Sequence, residues 1–404
     1  MAPMPVDFVP PTFGPCPLTL TDIGFRAAGV AAGIKASGKP DVALLVAARA
    51  VPAAAVFTQN AFAAAPVRLS KAHLERSGGA VRAIVVNAGN ANACTGARGD
   101  EHAAAMARAV AEKIGCPVHE VLVASTGVIG VSLPIDRVLS GIDAACAALS
   151  AESDAGRRFL AAIQTTDAFA KEASTEASGD LRVAGVCKGA GMIAPDMATM
   201  LAFVATDAVV SAEDLRAEIG AIAARSFNAV YVDGHSSTND SFVVLATGTR
   251  EATWTSWKVP VASVARRLAW LIARDGEGAT KVTTVTVRGA SSVDAAREIA
   301  REVASSALVR TALFGNDPNW GRFVSQVGNS RALRDASALR CSLQGTLVFE
   351  RGEPAAFDRA ELSRAMAVDD VALTIELRDG KDEAELLVSD LGYRYVEINA
   401  EYTT

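Results

Sequence analysis

The sequence is poor in the residue patterns that mark metal, disulfide and nucleic-acid sites. Its four histidines and six cysteines are scattered, and no CxxC spacing occurs. A metal site is therefore not predicted, and the thiols are expected to be reduced in a cytoplasmic protein. The 39 basic residues are outnumbered by 45 acidic ones, which gives a net charge of -6. A nucleic-acid binder should carry a basic surplus or stripe, so that class is not indicated.

Long apolar runs are absent as well. The uncharged residues 50–67 contain Pro52, Asn60 and Pro66, which do not suit a helix facing lipid. Prolines are spread through residues 1–20, and no basic segment precedes an apolar one there. These residues predict an extended surface arm rather than a secretory signal. Small molecules are the expected partners, with neither nucleic acid nor membrane.

Half of the 404 residues are hydrophobic but only 5% are aromatic, so the core must be built largely from small and aliphatic side chains. The length suits two domains, or one large domain with subdivisions. Apolar runs at 83–86 and 121–124 predict buried strands, with an amphipathic helix over 102–114 between them. Ser211 begins another predicted helix, and a further one covers 294–308. The pattern predicts an α/β (α+β) fold of stacked sheets flanked by helices, without clear signs of a doubly wound parallel sheet.

Residues 188–203, KGAGMIAPDMATMLAF, form the most unusual segment. The letters GAGMIA match the GxGxxA pattern of dinucleotide-binding loops. Such a loop should open an amphipathic helix, whereas Pro195 and the apolar run after it predict a turn followed by a strand. A nucleotide site is therefore disfavoured. A tight turn between two core strands and a catalytic role for Thr199 are the remaining interpretations.

Thr199 follows the small Ala198 where this loop enters a strand. Attack of the Thr199 hydroxyl on the Ala198 carbonyl would give an ester that water opens, leaving Thr199 with a free α-amine. That amine, with an unperturbed pKa of roughly 7.7–8.0, can accept the proton of its own hydroxyl. A nucleophile of this kind needs no histidine as its base. The sequence permits such a self-cleavage.

Four other segments could carry chemistry. In STGVIG, Thr126 and Gly127 follow a predicted strand and are suitable donors to an oxyanion, although a simple glycine-rich turn is favoured when the segment is taken alone. The loop NAGNANACTG contains Cys94, a poor candidate nucleophile because no histidine stands at a recognisable spacing. DGHSSTND invites a triad of Asp233, His235 and Ser236, but adjacent residues seldom converge, so a structural loop is favoured. GEGATK places Glu277 between two glycines, an arrangement suited to an ammonium group.

Taken together, these segments resemble the ornithine acetyltransferase family, the glutamate N-acetyltransferases of the cyclic arginine pathway. The matching motifs run in order from about Gly24 to Thr404, nearly the whole chain. They are NAGNANACTG, STGVIG, TTD at 165–167, KGAGMIAPDMATM, DGHSSTND, GEGATK, FGNDPNWGR and YVEINAEYTT. The motifs are long and specific, so the resemblance extends to individual positions.

The resemblance implies a role for each matching residue. Thr199 matches the nucleophile, exposed by cleavage after Ala198 to give an α chain of residues 1–198 and a β chain of residues 199–404. Thr126 and Gly127 match the oxyanion hole. The positions that match substrate-binding residues are Thr165, Lys188, Thr199, Glu277, Asn399 and Thr404. A self-cleaving two-domain α/β fold, the absence of a cofactor and an α2β2 assembly are also implied.

The implied activity is transfer of the acetyl group from N2-acetyl-L-ornithine to L-glutamate through an acetyl-enzyme on Thr199. Acetyl-CoA as a second donor is left open. The alternatives are a self-cleaving aminopeptidase or amidohydrolase, and an uncleaved binding protein. Two residues depart from the family pattern, Asp196 where asparagine is usual and His235 where an acidic residue is more frequent. The carboxylate at Asp196, three residues before Thr199, is expected to alter the cleavage rate.

Overall fold

The computed structural model describes residues 18–177, 181–194, 200–251 and 257–401. Short apolar runs form its strands, and segments with apolar residues at helical spacing form its helices. The strands are β1 (Phe25–Val30), β2 (Val42–Phe57), β3 (Ala80–Asn90), β4 (Val121–Val128), β5 (Lys171–Ala177), β6 (Leu181–Lys188), β7 (Leu201–Ala208), β8 (Val230–Tyr231), β9 (Ser241–Arg250), β10 (Val282–Ala290), β11 (Arg340–Leu343), β12 (Thr346–Glu350), β13 (Glu353–Pro354), β14 (Asp370–Glu376) and β15 (Asp382–Ser389).

Helices connect most of these strands. They are α1 (Ala65–Arg76), α2 (Gly96–Ile114), α3 (Ile135–Ala147), α4 (Ser153–Ile163), α5 (Ala212–Ala224), α6 (Lys258–Arg274), α7 (Val293–Ser305), α8 (Ala307–Phe314), α9 (Trp320–Val327), α10 (Arg359–Ala365) and α11 (Tyr393–Glu401). Short 3-10 helices cover Leu20–Ile23, Val118–Glu120, Phe227–Ala229 and Ala336–Ala338.

The larger sheet of the described chain has the order β4-β3-β2-β9-β7-β6-β5, and β1 pairs with β2 outside this path. The β3–β4 and β7–β9 pairs are parallel, and the others are antiparallel. The register of β2 against β3 shifts between Val46 and Val51, and Ala48 and Arg49 are exposed at that point. One half of this sheet holds β1 to β4, and the other half holds β5, β6, β7 and β9. Apolar side chains from both halves share one core with α4. The sheet therefore folds over on itself along β2 into two stacked layers.

Helices cover the outer faces of both layers. The apolar sides of α2 and α3 pack on β2, β3 and β4, while α5 and α6 pack on β6, β7 and β9. Every residue of β7 is buried, as expected for a strand covered on both faces. The predicted architecture of stacked sheets flanked by helices is confirmed.

A smaller sheet of the described residues has the order β13-β12-β11-β14-β10-β15-β8. Helices α7 and α9 pack into its core. Helix α6 shares a further core with Val282 of β10 and Leu387 of β15, so it lies between the two sheets. Strands from both sides of the predicted cleavage point are adjacent in the larger sheet, because β7 and β9 pair with β6 and β2. The predicted α and β chains would therefore share one core.

The local signals for helix ends act mostly as predicted. The Ser211 hydroxyl accepts the backbone N–H of Asp214 at 3.0 Å and begins α5, and Gly115 ends α2 with a φ of 68°. The single helix expected over 294–308 is wrong, however. Because Ser306 has an extended backbone and its hydroxyl accepts the N–H of Val309, α7 stops at Ser305 and α8 starts afresh.

The predicted surface arm over residues 1–20 needs a correction at its end. Residues 1–17 lie outside the described ranges, but Thr19 and Leu20 are buried. The backbone N–H of Thr19 donates to Asp22 at 2.7 Å, which starts the first 3-10 helix and carries Leu20 into the core between the layers. Within the described ranges, no helix combines the length and the apolar character needed to cross a membrane.

Candidate active site

The carboxyl ends of the parallel strands β3 and β4 approach each other very closely. A Cβ atom on Gly127 would lie 2.3 Å from the backbone carbon of Gly89, and Gly127 has a φ of 130°. Both facts require glycine at this position. The neighbouring Thr126 is buried. The strand end that carries the predicted oxyanion pair is thus rigid, with its backbone unobstructed by side chains at Gly89 and Gly127.

An asparagine and an aspartate ahead of β9 connect this strand end to the start of β7. The Asn239 amide donates to the carbonyl oxygens of Ala91 at 2.6 Å and Ser125 at 2.9 Å. The next residue, Asp240, accepts the backbone N–H of Met200 at 2.9 Å. Ser125 directly precedes Thr126, and Met200 directly follows Thr199 in the sequence. Thr199 and Ala198 themselves lie outside the described ranges.

Asp240 is unusual because its carboxyl group is completely buried. Burial raises the pKa of Asp240 to about 8, although the Met200 N–H and the positive charge of Lys188 act in the opposite direction. The group is thus largely protonated at neutral pH. A neutral acid is the form that a buried site tolerates best.

A lysine and a carboxylate lie on either side of the glycine turn after β6. Lys188 ends β6, is buried, and pairs with Leu201 of β7. Glu277 lies against the turn, because its backbone N–H donates to Ala190 at 2.9 Å and a Cβ on Gly191 would be 2.5 Å from its carboxyl carbon. Asn399 of α11 donates to Glu277 Oε2 at 3.0 Å. Three of the predicted substrate-binding residues therefore belong to one neighbourhood.

Thr165 reaches the same neighbourhood through Asp167. The carboxylate of Asp167 accepts the N–H of Thr165 at 2.9 Å on one oxygen and the N–H of Gly189 at 2.8 Å on the other. Gly189 directly follows Lys188. Thr165 is exposed and Thr166 is half-buried, and Thr404 lies outside the described ranges. The substrate-binding roles of all these residues stay predictions.

Two disfavoured interpretations find no support. Asp233 accepts three backbone N–H groups, from Met192, Ile193 and His235, while His235 is exposed. The Asp233 carboxylate therefore stabilises the turn at 192–193, and Asp233, His235 and Ser236 do not form a catalytic triad. The GAGMIA residues 189–194 follow β6 and form no helix, and the next described strand, β7, runs antiparallel to β6. A dinucleotide loop is thereby excluded. Cys94, the weak nucleophile candidate, is exposed.

Sequence reasoning assigned no role to several buried polar residues that hold this site together. They are Asp167, Lys171, Asn239, Asp240 and Asp275. Asp167 lies in the TTD motif, and Asn239 and Asp240 lie in DGHSSTND. Asp275 lies two residues before Glu277. A buried charge leaves no mark on the sequence, so the available signal was membership of a motif, and it covers Asp167, Asn239 and Asp240 but neither Lys171 nor Asp275.

The layered α/β fold and this site define a class of enzyme. The site combines a buried ammonium group, a carboxylate and a glycine-lined strand end, and it suits a small substrate that carries both charges of an amino acid. Residues 26–404 match the model of the ArgJ family. The chain belongs to the ArgJ family, and it is an acyltransferase of arginine biosynthesis, as the sequence predicts.

Relatives resemble the chain along most of its length. The "arginine biosynthesis bifunctional protein ArgJ" of Thermus thermophilus is 46% identical over 94% of this chain and 98% of its own. The protein of the same name from Deinococcus radiodurans is also 46% identical, over 94% and 97%. A crystal structure of ornithine acetyltransferase from Mycobacterium tuberculosis, complexed with ornithine, is 38% identical over 45% of this chain and 96% of that chain, with a TM-score of 0.42.

Proposed function

We propose that this chain cuts itself between Ala198 and Thr199 and then carries an acetyl group from N2-acetyl-L-ornithine to L-glutamate on the Thr199 hydroxyl. The observation that supports this most is the position of Lys188 and Glu277 beside the same glycine turn. The substrate presents an α-carboxylate and a δ-ammonium, and these two side chains offer the opposite charges.

Self-cleavage starts when the Thr199 hydroxyl attacks the carbonyl carbon of Ala198. The C–N bond breaks and the acyl group moves from nitrogen to oxygen. Water then hydrolyses the ester, releasing the Ala198 carboxylate and leaving the amine and hydroxyl of Thr199 free. Asp240 supports this step because it fixes the N–H of Met200, the peptide unit that follows the nucleophile.

In the transfer reaction, the Thr199 amine accepts the hydroxyl proton while Oγ attacks the acetyl carbonyl. The oxyanion that develops is held by the Thr126 hydroxyl and the Gly127 N–H. Donors of this kind each contribute roughly 10²–10³ to a rate. The C–N bond breaks, and ornithine leaves with the proton from the Thr199 ammonium. The amine of glutamate then attacks the acetyl ester, the ester C–O bond breaks, and the proton lost by the amine restores the Thr199 hydroxyl as N-acetylglutamate leaves. The scheme is ping-pong, so one site accepts both amino acids in turn.

The relatives bear the name "bifunctional", which supports a second donor. The second activity is acetylation of glutamate by acetyl-CoA, in which the thiolate of coenzyme A leaves instead of ornithine. The cleaved chains work as an α2β2 assembly in the cytoplasm. A hydrolase on the same nucleophile is disfavoured by membership of the ArgJ family.

Intact mass and N-terminal sequencing of the purified protein test the cleavage. We expect two chains, the second beginning Thr-Met-Leu-Ala-Phe, whereas Thr199→Ala should give one uncut and inactive chain. Thr311→Ala, an exposed threonine of α8, is the control and should be cut and active. A wild-type protein that stays uncut would contradict the assignment of Thr199 as the nucleophile.

The acceptor is tested by incubation with N-acetylornithine in the presence and absence of glutamate. Transfer predicts that ornithine accumulates well beyond one equivalent only when glutamate is present, and that N-acetylglutamate appears in equal amount. Ornithine release that is independent of glutamate would show a hydrolase. Replacing N-acetylornithine by acetyl-CoA in the same assay tests the second donor.

A further inference from the structure

A buried cluster of charges lies next to the candidate site. Lys171, the first residue of β5, has a completely buried side chain. Its ammonium group donates to Asp167 at 2.6 Å and also to Asp275. One ammonium and two carboxylates together carry one excess negative charge. A buried cluster of this kind needs a further cation nearby. The balancing cation is Lys188, which is also buried and interacts with Asp167.

Asp167 uses its remaining lone pairs on the backbone of the site. Besides Lys171, its carboxylate accepts the N–H of Gly189 at 2.8 Å and that of Thr165 at 2.9 Å. A single carboxylate thus joins the segment before β5 to the turn after β6. Gly189 is the neighbour of Lys188, so a shift of Asp167 would move two predicted substrate contacts together.

Asp275 extends the cluster to the third predicted contact. Asp275 directly follows the last residue of α6, and its carboxylate accepts the N–H of Ala168 at 3.0 Å. Two residues later, Glu277 binds the backbone of Ala190 at 2.9 Å. The cluster of Asp167, Lys171 and Asp275 therefore touches every segment that carries Thr165, Lys188 and Glu277.

The charges around Lys188 come from several elements. Burial lowers the pKa of Lys188, and Lys171 lowers it further, whereas Asp167, Glu277 and the ionised form of Asp240 raise it. Lys35, from the segment between β1 and β2, also faces Lys188, and burial lowers the pKa of Lys35 to about 8. Among the groups that keep Lys188 positive, Asp167 is the strongest.

We propose that Asp167, held in place by Lys171 and Asp275, is a positioning residue that fixes the backbone at Thr165 and Gly189 and maintains the positive charge of Lys188 for the substrate carboxylate. This inference rests on the proposed binding role of Lys188. It predicts that neutralising Asp167 and neutralising Lys171 shift the pKa of Lys188 in opposite directions, because Asp167 raises that pKa and Lys171 lowers it.

The test is the pH dependence of kcat/KM for N-acetylornithine. In Asp167→Asn, the alkaline limb should move to lower pH by about one unit, since loss of an adjacent opposite charge lowers a lysine pKa by that order. On the alkaline side of both limbs, this shift lowers kcat/KM for N-acetylornithine about tenfold relative to the wild type, through KM more than through kcat. In Lys171→Met, the limb should move to higher pH. The ammonium group of the substrate titrates in the same way in every assay. The result is therefore the difference between the variant and the wild type in the pH of the alkaline limb.

The matched control is Asp207→Asn at the far end of β7. Asp207 is also completely buried, accepts a hydrogen bond from Arg182 at 3.0 Å and forms an ion pair with Arg250 at 3.1 Å, but it lies away from the site. This variant should lose stability without any shift of the limb. Each protein is first checked by intact mass and thermal midpoint. If Asp167→Asn does not fold, the direction of the shift in Lys171→Met decides the question.

Lys188→Arg separates this inference from the proposed function. Arginine does not titrate in this range, so the alkaline limb should disappear or move beyond pH 10 if it belongs to Lys188. A limb that Lys188→Arg leaves unchanged would overturn the binding role of Lys188. A limb that vanishes in Lys188→Arg but stays in place in both Asp167→Asn and Lys171→Met would overturn the positioning role alone.

Discussion

At the scale of single residues, this protein concentrates buried ionisable groups around one turn. Lys171, Lys188, Asp167 and Asp240 are all removed from water, and each would be costly if it were alone. Paired with one another and with backbone N–H groups, they hold geometry and charge at the same time. The pKa of Asp167 falls to about 2 although burial raises it, because Lys188 and Lys171 outweigh the loss of water.

Asp240 gives a prediction about stability and pH. The pKa of Asp240 is about 8 in the folded protein, against about 3.9 in an unfolded chain. Between these values the unfolded chain releases a proton that the folded protein keeps, so rising pH destabilises the fold, by up to about 1.4 kcal/mol per pH unit. Asp240→Asn cannot ionise. Its thermal midpoint relative to the wild type should therefore rise from pH 5 to pH 8.

Asp335→Asn serves as the comparison for that measurement. The pKa of Asp335 is lowered by hydrogen bonds from Ser337, so this carboxyl stays ionised across the same range. The difference between Asp335→Asn and the wild type should be flat from pH 5 to pH 8. An equally flat difference for Asp240→Asn would mean that the buried carboxyl is ionised in the folded state.

At the scale of secondary structure, the contact between β3 and β4 is the tightest feature of the site. Gly127→Ala would place its Cβ 2.3 Å from the backbone carbon of Gly89, so the two strands would have to separate. We expect the acetyl-transfer rate to fall by about 10²–10³, the loss associated with one oxyanion donor. The measurement is kcat, taken after intact mass has established that the chains are cut.

Gly130→Ala is the matched control for Gly127→Ala. Gly130 also has a positive φ, 79°, but a Cβ there would meet no heavy atom within 4 Å. Only the strain of a left-handed alanine remains, about 1 kcal/mol, and the rate should change little. Equal activity of the two variants would mean that crowding between the strands has no bearing on catalysis.

At the scale of the whole molecule, the core between the stacked layers holds the two halves of the larger sheet together. Phe159 of α4 is completely buried and packs edge-on against Phe203 of β7, with ring centroids 5.6 Å apart. Phe159→Ala should lower the free energy of unfolding by about 3–5 kcal/mol. Urea unfolding measures this, with the exposed Phe62→Ala as a control that should stay within about 0.5 kcal/mol. Similar midpoints for both variants would contradict a shared core.

Much of the fold follows from local sequence patterns. The apolar runs at 83–86 and 121–124 lie within β3 and β4, and the Ser211 signal begins α5. These predictions succeed because apolar runs and helix caps act over a few residues. The folding over of the larger sheet along β2 was not predicted, since the pairing of β2 with β9 joins residues far apart in the sequence.

The sequence by itself determined the family, the activity class and the candidate residues, because long motifs preserve the chemistry of a site even where its geometry is unknown. Only the tertiary structure decided that Asp167, Lys171 and Asp275 form one buried cluster and that Asn239 and Asp240 join the end of β4 to the start of β7. The physical reason is that burial turns ordinary polar residues into coupled charges and required hydrogen bonds. Burial depends on which distant segments pack together, and no local pattern records it.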